Sequence, residues 1–195
     1  MTTNSDTSRL RPERTIVLVG LMGVGKSAVG RRLAKRFDLP FIDADAEIEA
    51  AAGSTIEEFF EQHGEAAFRA GERRVIARLL EGEPHILATG GGAFMDPETR
   101  SLVKARGISI WLNADLDTLV ERVSRRNNRP LLKNGDMKQI LSDLMAERNP
   151  VYAEADITVA SVDQPLGEMT VQVADALHDW ISGHPGRAQR PAPSP

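Results

Sequence analysis

Apolar residues recur along this chain in two alternating rhythms. Short, nearly continuous runs occur at Thr15-Ile16-Val17-Leu18-Val19, Phe41-Ile42-Asp43, His85-Ile86-Leu87-Ala88, Ser109 to Leu112 and Ile157 to Val159. Runs of this length and β-branched content suit strands buried on both faces. Between them the apolar positions fall at helical spacing. Val29, Leu33 and Phe37 mark a helix over Lys26 to Phe37, ended by Asp38-Leu39-Pro40. Asp45 to Ala51 forms a short helix stopped by Gly53, and Ser54-Thr55-Ile56-Glu57 reads as a capping box that starts another helix at Thr55. Glu65 to Leu80 continues with Ala66, Val75, Ile76, Leu79 and Leu80 as its apolar contacts. Asp96-Pro97 opens a helix with Pro at the first helical position, and Gly107 follows its end. Asp115 caps Leu116 to Val123, and Asp136 caps Met137 to Glu147, which ends near Arg148-Asn149-Pro150. Pro165 to Ser182 is amphipathic through Val171, Ala174, Leu177, Trp180 and Ile181. Strands alternating with helices in this way predict a three-layer α/β/α domain on a parallel sheet of about five strands, joined by right-handed crossovers.

The pattern stops at both ends. Residues 1–13 are polar without period, and from Gly183 the chain is rich in Pro, Gly and Arg. Both stretches read as disordered tails around one domain at 14–182. A length of 195 residues, 41% hydrophobic and 27% charged, is ordinary for one globular domain. A net charge of −4 provides no basic field for nucleic acid. The absence of Cys excludes thiol catalysis and zinc–thiolate sites, and His63, His85, His178 and His184 lack ligand spacing. No segment reaches the roughly 18 to 20 apolar residues of a membrane span, and Met1 to Arg14 has no apolar core of a secretion signal. The expectation is a cytoplasmic protein with no membrane partner, in which nothing requires more than a monomer.

The chemistry concentrates at Gly20-Leu21-Met22-Gly23-Val24-Gly25-Lys26-Ser27, which lies between the first strand and the first helix. This is G-x-x-x-x-G-K-[ST] in its required setting. Glycines let backbone N–H groups turn toward phosphate oxygens, and the helix start adds orphan donors and a positive dipole end. Lys26 is placed to reach the β- and γ-phosphates of a nucleotide and Ser27 to put its hydroxyl on Mg²⁺. The same letters also spell G-x-G-x-x-A from Gly23 to Ala28, with Asp43 and Asp45 near the distance of a ribose-binding acid. The register opposes a dinucleotide site, because the first Gly after the strand is Gly20, which puts Met22 where the second Gly is needed.

Other features are weaker. Arg69 and Glu72 stand at i, i+3 on one helix face, where spacing alone favours a surface ion pair. Gly90-Gly91-Gly92 follows a strand end, which suggests either backbone approach by a ligand or a plain turn. The basic, turn-rich stretch at about 124–135 reads as a solvated loop or as a lid that carries cations onto phosphates. Small size, a lid-like loop, and a third strand ending in Thr89-Gly90 instead of Asp favour a small-molecule kinase over a motor or GTPase switch.

Together, Gly20 to Ser27, Phe41 to Asp45, Phe68-Arg69-Ala70-Gly71-Glu72, Thr89 to Gly92, Arg129-Pro130-Leu131-Leu132 and Glu147 to Tyr152 closely resemble the motifs of the shikimate kinases, in order and spacing, from about Thr15 to Ile181. The resemblance implies a fold like the P-loop nucleoside monophosphate kinases, with sheet order 2-3-1-4-5. It implies transfer of the γ-phosphate of ATP to the 3-hydroxyl of shikimate, with Mg²⁺, in chorismate and aromatic amino-acid synthesis. In that reading Arg69 and Arg148 hold the shikimate carboxylate, since a guanidinium fork matches it bidentately. Asp45 positions or deprotonates the attacking hydroxyl, and Asp43 supports Mg²⁺ through water beside Ser27. Gly91 and Gly92 offer backbone contacts, and Glu72 orients Arg69. Arg129 meets phosphate charge from the lid, opposite Lys26. ATP is held by Gly23, Val24, Gly25, Lys26, Ser27 and Ala28, with Arg122 near the adenine. A kinase of the same fold acting on another hydroxy acid, such as gluconate, and a nucleotide-binding module without turnover remain as alternatives.

Overall fold

The central strand is β1 (Thr15–Val19), in which every residue is buried, so no alternation of polar positions is available to it. In a computed structural model describing residues 12–125, 136–162 and 164–189, β1 lies in the middle of a five-stranded sheet. The other strands are β2 (Phe41–Asp43), β3 (Ile86–Ala88), β4 (Gly107–Asn113) and β5 (Ile157–Ala160), in the order β2-β3-β1-β4-β5, so that β1 pairs with β3 and β4. All pairs are parallel, with Leu18 beside Ala88 and Ala88 beside Asp43. The carboxyl ends of β1, β2 and β3 therefore lie at one edge, where open α/β sheets bind ligands.

The helices are α1 (Lys26–Phe37), α2 (Ala44–Ala52), α3 (Ile56–Glu81), α4 (Pro97–Arg106), α5 (Leu116–Ser124), α6 (Met137–Tyr152), α7 (Leu166–Gly183) and α8 (Pro185–Ala188). α1 packs against α7, and α3 against α4. Leu33, Ile76, Leu119 and Leu177 join the strand residues in one continuous core. Among the described residues, no helix is long and apolar enough to cross a membrane.

Several boundaries differ from expectation. The capping box is Thr55 with Glu58, one residue later than the sequence pattern suggests, because Thr55 holds the extended backbone that an N-cap needs. The helices expected on either side of Gly64 form one element with a kink there, at φ 77° and ψ 172°. β4 begins at Gly107, so Gly107 ends one element and starts the next. α6 passes through Pro150 to Tyr152. Pro in the last turn forfeits one backbone bond, while Tyr152 is fully buried and the Ala153 N–H closes on Asn149 O at 2.9 Å.

The largest departure is at the C-terminal side, where residues 183–189 are ordered, contrary to the expected tail. Arg187 on α8 pairs with Asp156 at 2.6 Å and donates to Lys104 O at 2.9 Å. Asp156 in turn accepts from the Ser109 N–H and hydroxyl, at 2.9 and 2.8 Å, and the buried Arg14 donates to Arg187 O at 2.8 Å. These polar partners anchor a segment that lacks apolar period. Residues 1–11 and 190–195 lie outside the described residues.

Candidate active site

The phosphate loop joins β1 to α1 at the carboxyl edge of the sheet. Gly25 is the N-cap of α1 with φ 99°, a left-handed conformation in which any side chain is strained. It brings no capping side chain, so the first N–H groups of α1 remain for an anion. Gly20 has φ 132° and also lacks room, since a Cβ there would stand 2.6 Å from Leu112 O. Lys26 lies folded over the loop, donating from Nζ to Gly20 O at 2.7 Å and Leu21 O at 3.0 Å.

Beside the loop, the Ser27 hydroxyl donates to Asp43 Oδ2 at 3.1 Å. Asp43 also caps α2, accepting from the Asp45 N–H at 3.2 Å. Asp45 is thereby in the first turn of α2, which begins one residue ahead of the expected helix start. Met22, Lys26, Ser27, Asp43, Asp45 and Gly90 are among the residues lining one cavity of about 120 Å³. On the other flank of the loop, Val24, Arg122, Ser161, Val162 and Leu166 help line a cavity of about 320 Å³, and Gly23, Gly25 and Ala28 line both. Arg122 braces this second wall, donating to Ser161 Oγ and Val162 O at 2.7 Å each, while Ser161 Oγ donates to Val24 O at 2.9 Å. The Val24 side chain is core.

The glycine triplet is where the remaining side chains converge. Thr89 ties its start to β1, its hydroxyl donating to Leu18 O at 3.0 Å. A Cβ built on Gly90 would lie 2.7 Å from Asp45 Oδ1 and 3.4 Å from Glu72 Oε1. One on Gly92 would lie 2.5 Å from a guanidinium nitrogen of Arg69, and one on Gly91 3.6 Å from a guanidinium nitrogen of Arg148. Helices α2, α3 and α6 thus deliver a carboxylate, an ion pair and a second cation to one backbone ledge, and the missing Cβ atoms let them approach.

Glu72 is buried and holds Arg69 at 2.7 Å, with Glu65 on the outer side at 3.4 Å. Burial opposes the Arg69 charge, but Glu72 and Glu65 outweigh it and raise its pKa. Burial likewise raises Glu72, and Asp45 adds to this, against the pull of Arg69. The Nε of Arg148 is buried without a hydrogen-bond partner among the described residues. Arg129 and most of the expected lid lie outside the described residues.

Sequence reasoning counted Tyr152 in a matching motif but gave it no role. It is fully buried against Phe94 and Trp111, and its hydroxyl donates to Gly91 O. Burial pushes its pKa up to about 12, so it remains a donor across the neutral range. The signal was present: it is the one Tyr of the chain, four residues after Arg148 on the same helix.

The profile of the family described as shikimate kinase matches residues 22–178 of this chain. The chain belongs to the shikimate kinase family. It is 59% identical over 168 residues to a shikimate kinase of Paramagnetospirillum magneticum, covering 86% of each chain. It is 55% identical over 179 residues to one of Bradyrhizobium diazoefficiens, covering 92% of this chain and 86% of that one. A solved shikimate kinase from Acinetobacter baumannii in complex with shikimate superposes with a TM-score of 0.79 at 36% identity, covering 91% of this chain and 98% of the other. The five-stranded parallel sheet in the order 2-3-1-4-5 is as the resemblance implied. The chain is a phosphotransferase that uses ATP.

The Tyr152 hydroxyl and a guanidinium nitrogen of Arg148 both stand beside Gly91. Tyr152→Phe is expected to raise KM for shikimate about tenfold with KM for ATP unchanged, the worth of one buried hydrogen bond. Steady-state kinetics on both substrates check this. A drop in Tm with both KM values unchanged would reduce Tyr152 to a packing residue.

Proposed function

We propose that this kinase transfers the γ-phosphate of ATP to the 3-hydroxyl of shikimate with the residues gathered around Gly90 to Gly92. The observation that carries the reading is the convergence on that ledge of Asp45, the Arg69–Glu72 pair and Arg148, beside the phosphate loop. Arg69 and Arg148 take the acceptor carboxylate. Glu72 fixes the Arg69 fork. Asp45 accepts a hydrogen bond from the attacking hydroxyl and takes its proton as the bond to phosphorus forms. Lys26 leaves the carbonyls of Gly20 and Leu21 for the phosphate oxygens, and Arg129 meets the same charge from the lid. The base of ATP lies on the flank braced by Arg122, with its phosphates over Gly23 to Ala28.

Mg²⁺ fits the oxygen pair formed by Ser27 Oγ and Asp43 Oδ2, which are hard donors 3.1 Å apart. No cluster of three or more ligating side chains occurs among the described residues. A cation that keeps its waters and shares phosphate oxygens needs none. When bound, it neutralises charge on the transferring phosphoryl group.

The test is ADP release with ATP and Mg²⁺, measured with shikimate, with gluconate and without an acceptor. Release with shikimate alone is expected. Release with gluconate alone would discard the roles given to Arg69, Arg148 and Asp45, and a lack of acceptor-dependent release would favour a nucleotide-binding module. Arg148→Ala is expected to raise KM for shikimate by about 10- to 100-fold while KM for ATP holds, because a charge-assisted pair to the carboxylate is lost. Equal losses toward both substrates would overturn its assignment.

A further inference from the structure

A groove between α2 and α3 shares no lining residue with the cavities that flank the phosphate loop. Its volume is about 320 Å³, at the small end of ligand sites and suited to a single-ring molecule. Ile48, Phe59, Phe68 and Val75 give it an apolar lining, with Phe59 edge-on to Phe68 at 6.3 Å between ring centroids. Arg74 and Arg78 stand at its rim. Arg78 is already paired with Glu47 at 3.1 Å. Arg74 is exposed and makes no ion pair or hydrogen bond among the described residues.

Gly71 lies on the wall between these features. It sits inside α3 without a left-handed φ, and a Cβ built on it would meet nothing within 4 Å. Glycine within a helix is destabilising relative to alanine, so neither backbone conformation nor internal packing accounts for it. Its absent side chain leaves the groove open.

We propose that this groove is a binding site for a small aromatic carboxylate, with the ring against Phe59, Phe68 and Val75 and the carboxylate on Arg74. The apolar lining sets the ring, and the uncommitted guanidinium sets the sign of the charge. The site is separate from the acceptor ledge and stands whichever hydroxy acid the kinase phosphorylates. Because Phe68 directly precedes Arg69, an occupant touches the helix that holds the acceptor cation.

The probe is 3-phenylpropionate, titrated by ¹H–¹⁵N NMR into the full chain saturated with shikimate and ADP, so that Arg69 and Arg148 are already engaged. Saturable shifts at the amides of Ala51, Ala52 and Gly71 are expected, with a dissociation constant on the order of 1 mM. The neutral 3-phenylpropanamide should bind about tenfold more weakly, and Arg74→Gln should bring the acid down to the affinity of the amide. Gly71→Leu should remove the shifts by filling the groove, with its fold checked by Tm. Arg74→Gln serves as the independent variant, since it changes charge and leaves the groove open. Shifts confined to the acceptor ledge, equal affinity for acid and amide, or binding that never saturates would each overturn the proposal.

Discussion

Lys26→Met is expected to lower kcat by about 10³-fold or more. Met keeps the length and apolar stem of Lys but not the charge. In phosphoryl transfer the protein contributes little covalent chemistry, so catalysis rests on positioning and on neutralising charge over the phosphoryl oxygens. The Lys26 ammonium already stands over the loop on the carbonyls of Gly20 and Leu21, and those carbonyls do not depend on it for the loop's shape, which the left-handed glycines set. The variant should therefore fold with an unchanged Tm. Single-turnover kinetics at saturating ATP and shikimate separate chemistry from binding. A kcat within tenfold of the parent would mean that another cation carries the charge.

Asp45→Asn is expected to lower kcat by roughly 10²- to 10⁴-fold, the usual worth of a general base, with KM for ATP unchanged. Asn preserves the shape and one acceptor oxygen, so the hydroxyl can still be positioned while its proton has no carboxylate to receive it. Asp45 is held from two sides. Its backbone N–H is bonded to the capping Asp43, and its Oδ1 lies against the open face of Gly90. Glu72, whose pKa is raised mainly by burial, is its acidic neighbour, and the Asp45 carboxylate adds to that rise. Rates with Asp45→Asn within about threefold of the parent would leave the acceptor hydroxyl deprotonated by phosphate oxygens instead.

The strands were legible in the sequence because each is short, apolar and bounded by turn residues, and the strand–loop–helix setting of Lys26 located the phosphate site by spelling and context alone. The ion pair of Arg69 and Glu72 was not readable from spacing. Two residues at i, i+3 look alike on a solvated face and on a buried one, and only packing against α4 and the glycine ledge puts Glu72 inside. The same holds for Gly90 to Gly92. A turn and a ligand ledge have one spelling, and the difference lies in which helices arrive from elsewhere in the chain. Tyr152 received no role because Pro150 signals a helix end, whereas buried aromatic contacts carry α6 past it. Arg187 escaped because a polar segment held by ionic and backbone partners has no hydrophobic period to betray it.

That last contact bears on how the chain can be cut. Arg14 and Arg187 touch across 173 positions of sequence, at the sheet edge away from the phosphate loop. A short linker between those two regions would close the polypeptide into a ring, and new termini could then be opened at the exposed Gly82–Glu83 turn ahead of β3. Such a circular permutant keeps every strand neighbour and every side chain of the glycine ledge. The reaction depends on which strands lie side by side in the sheet, and the order in which the ribosome makes them is free to change.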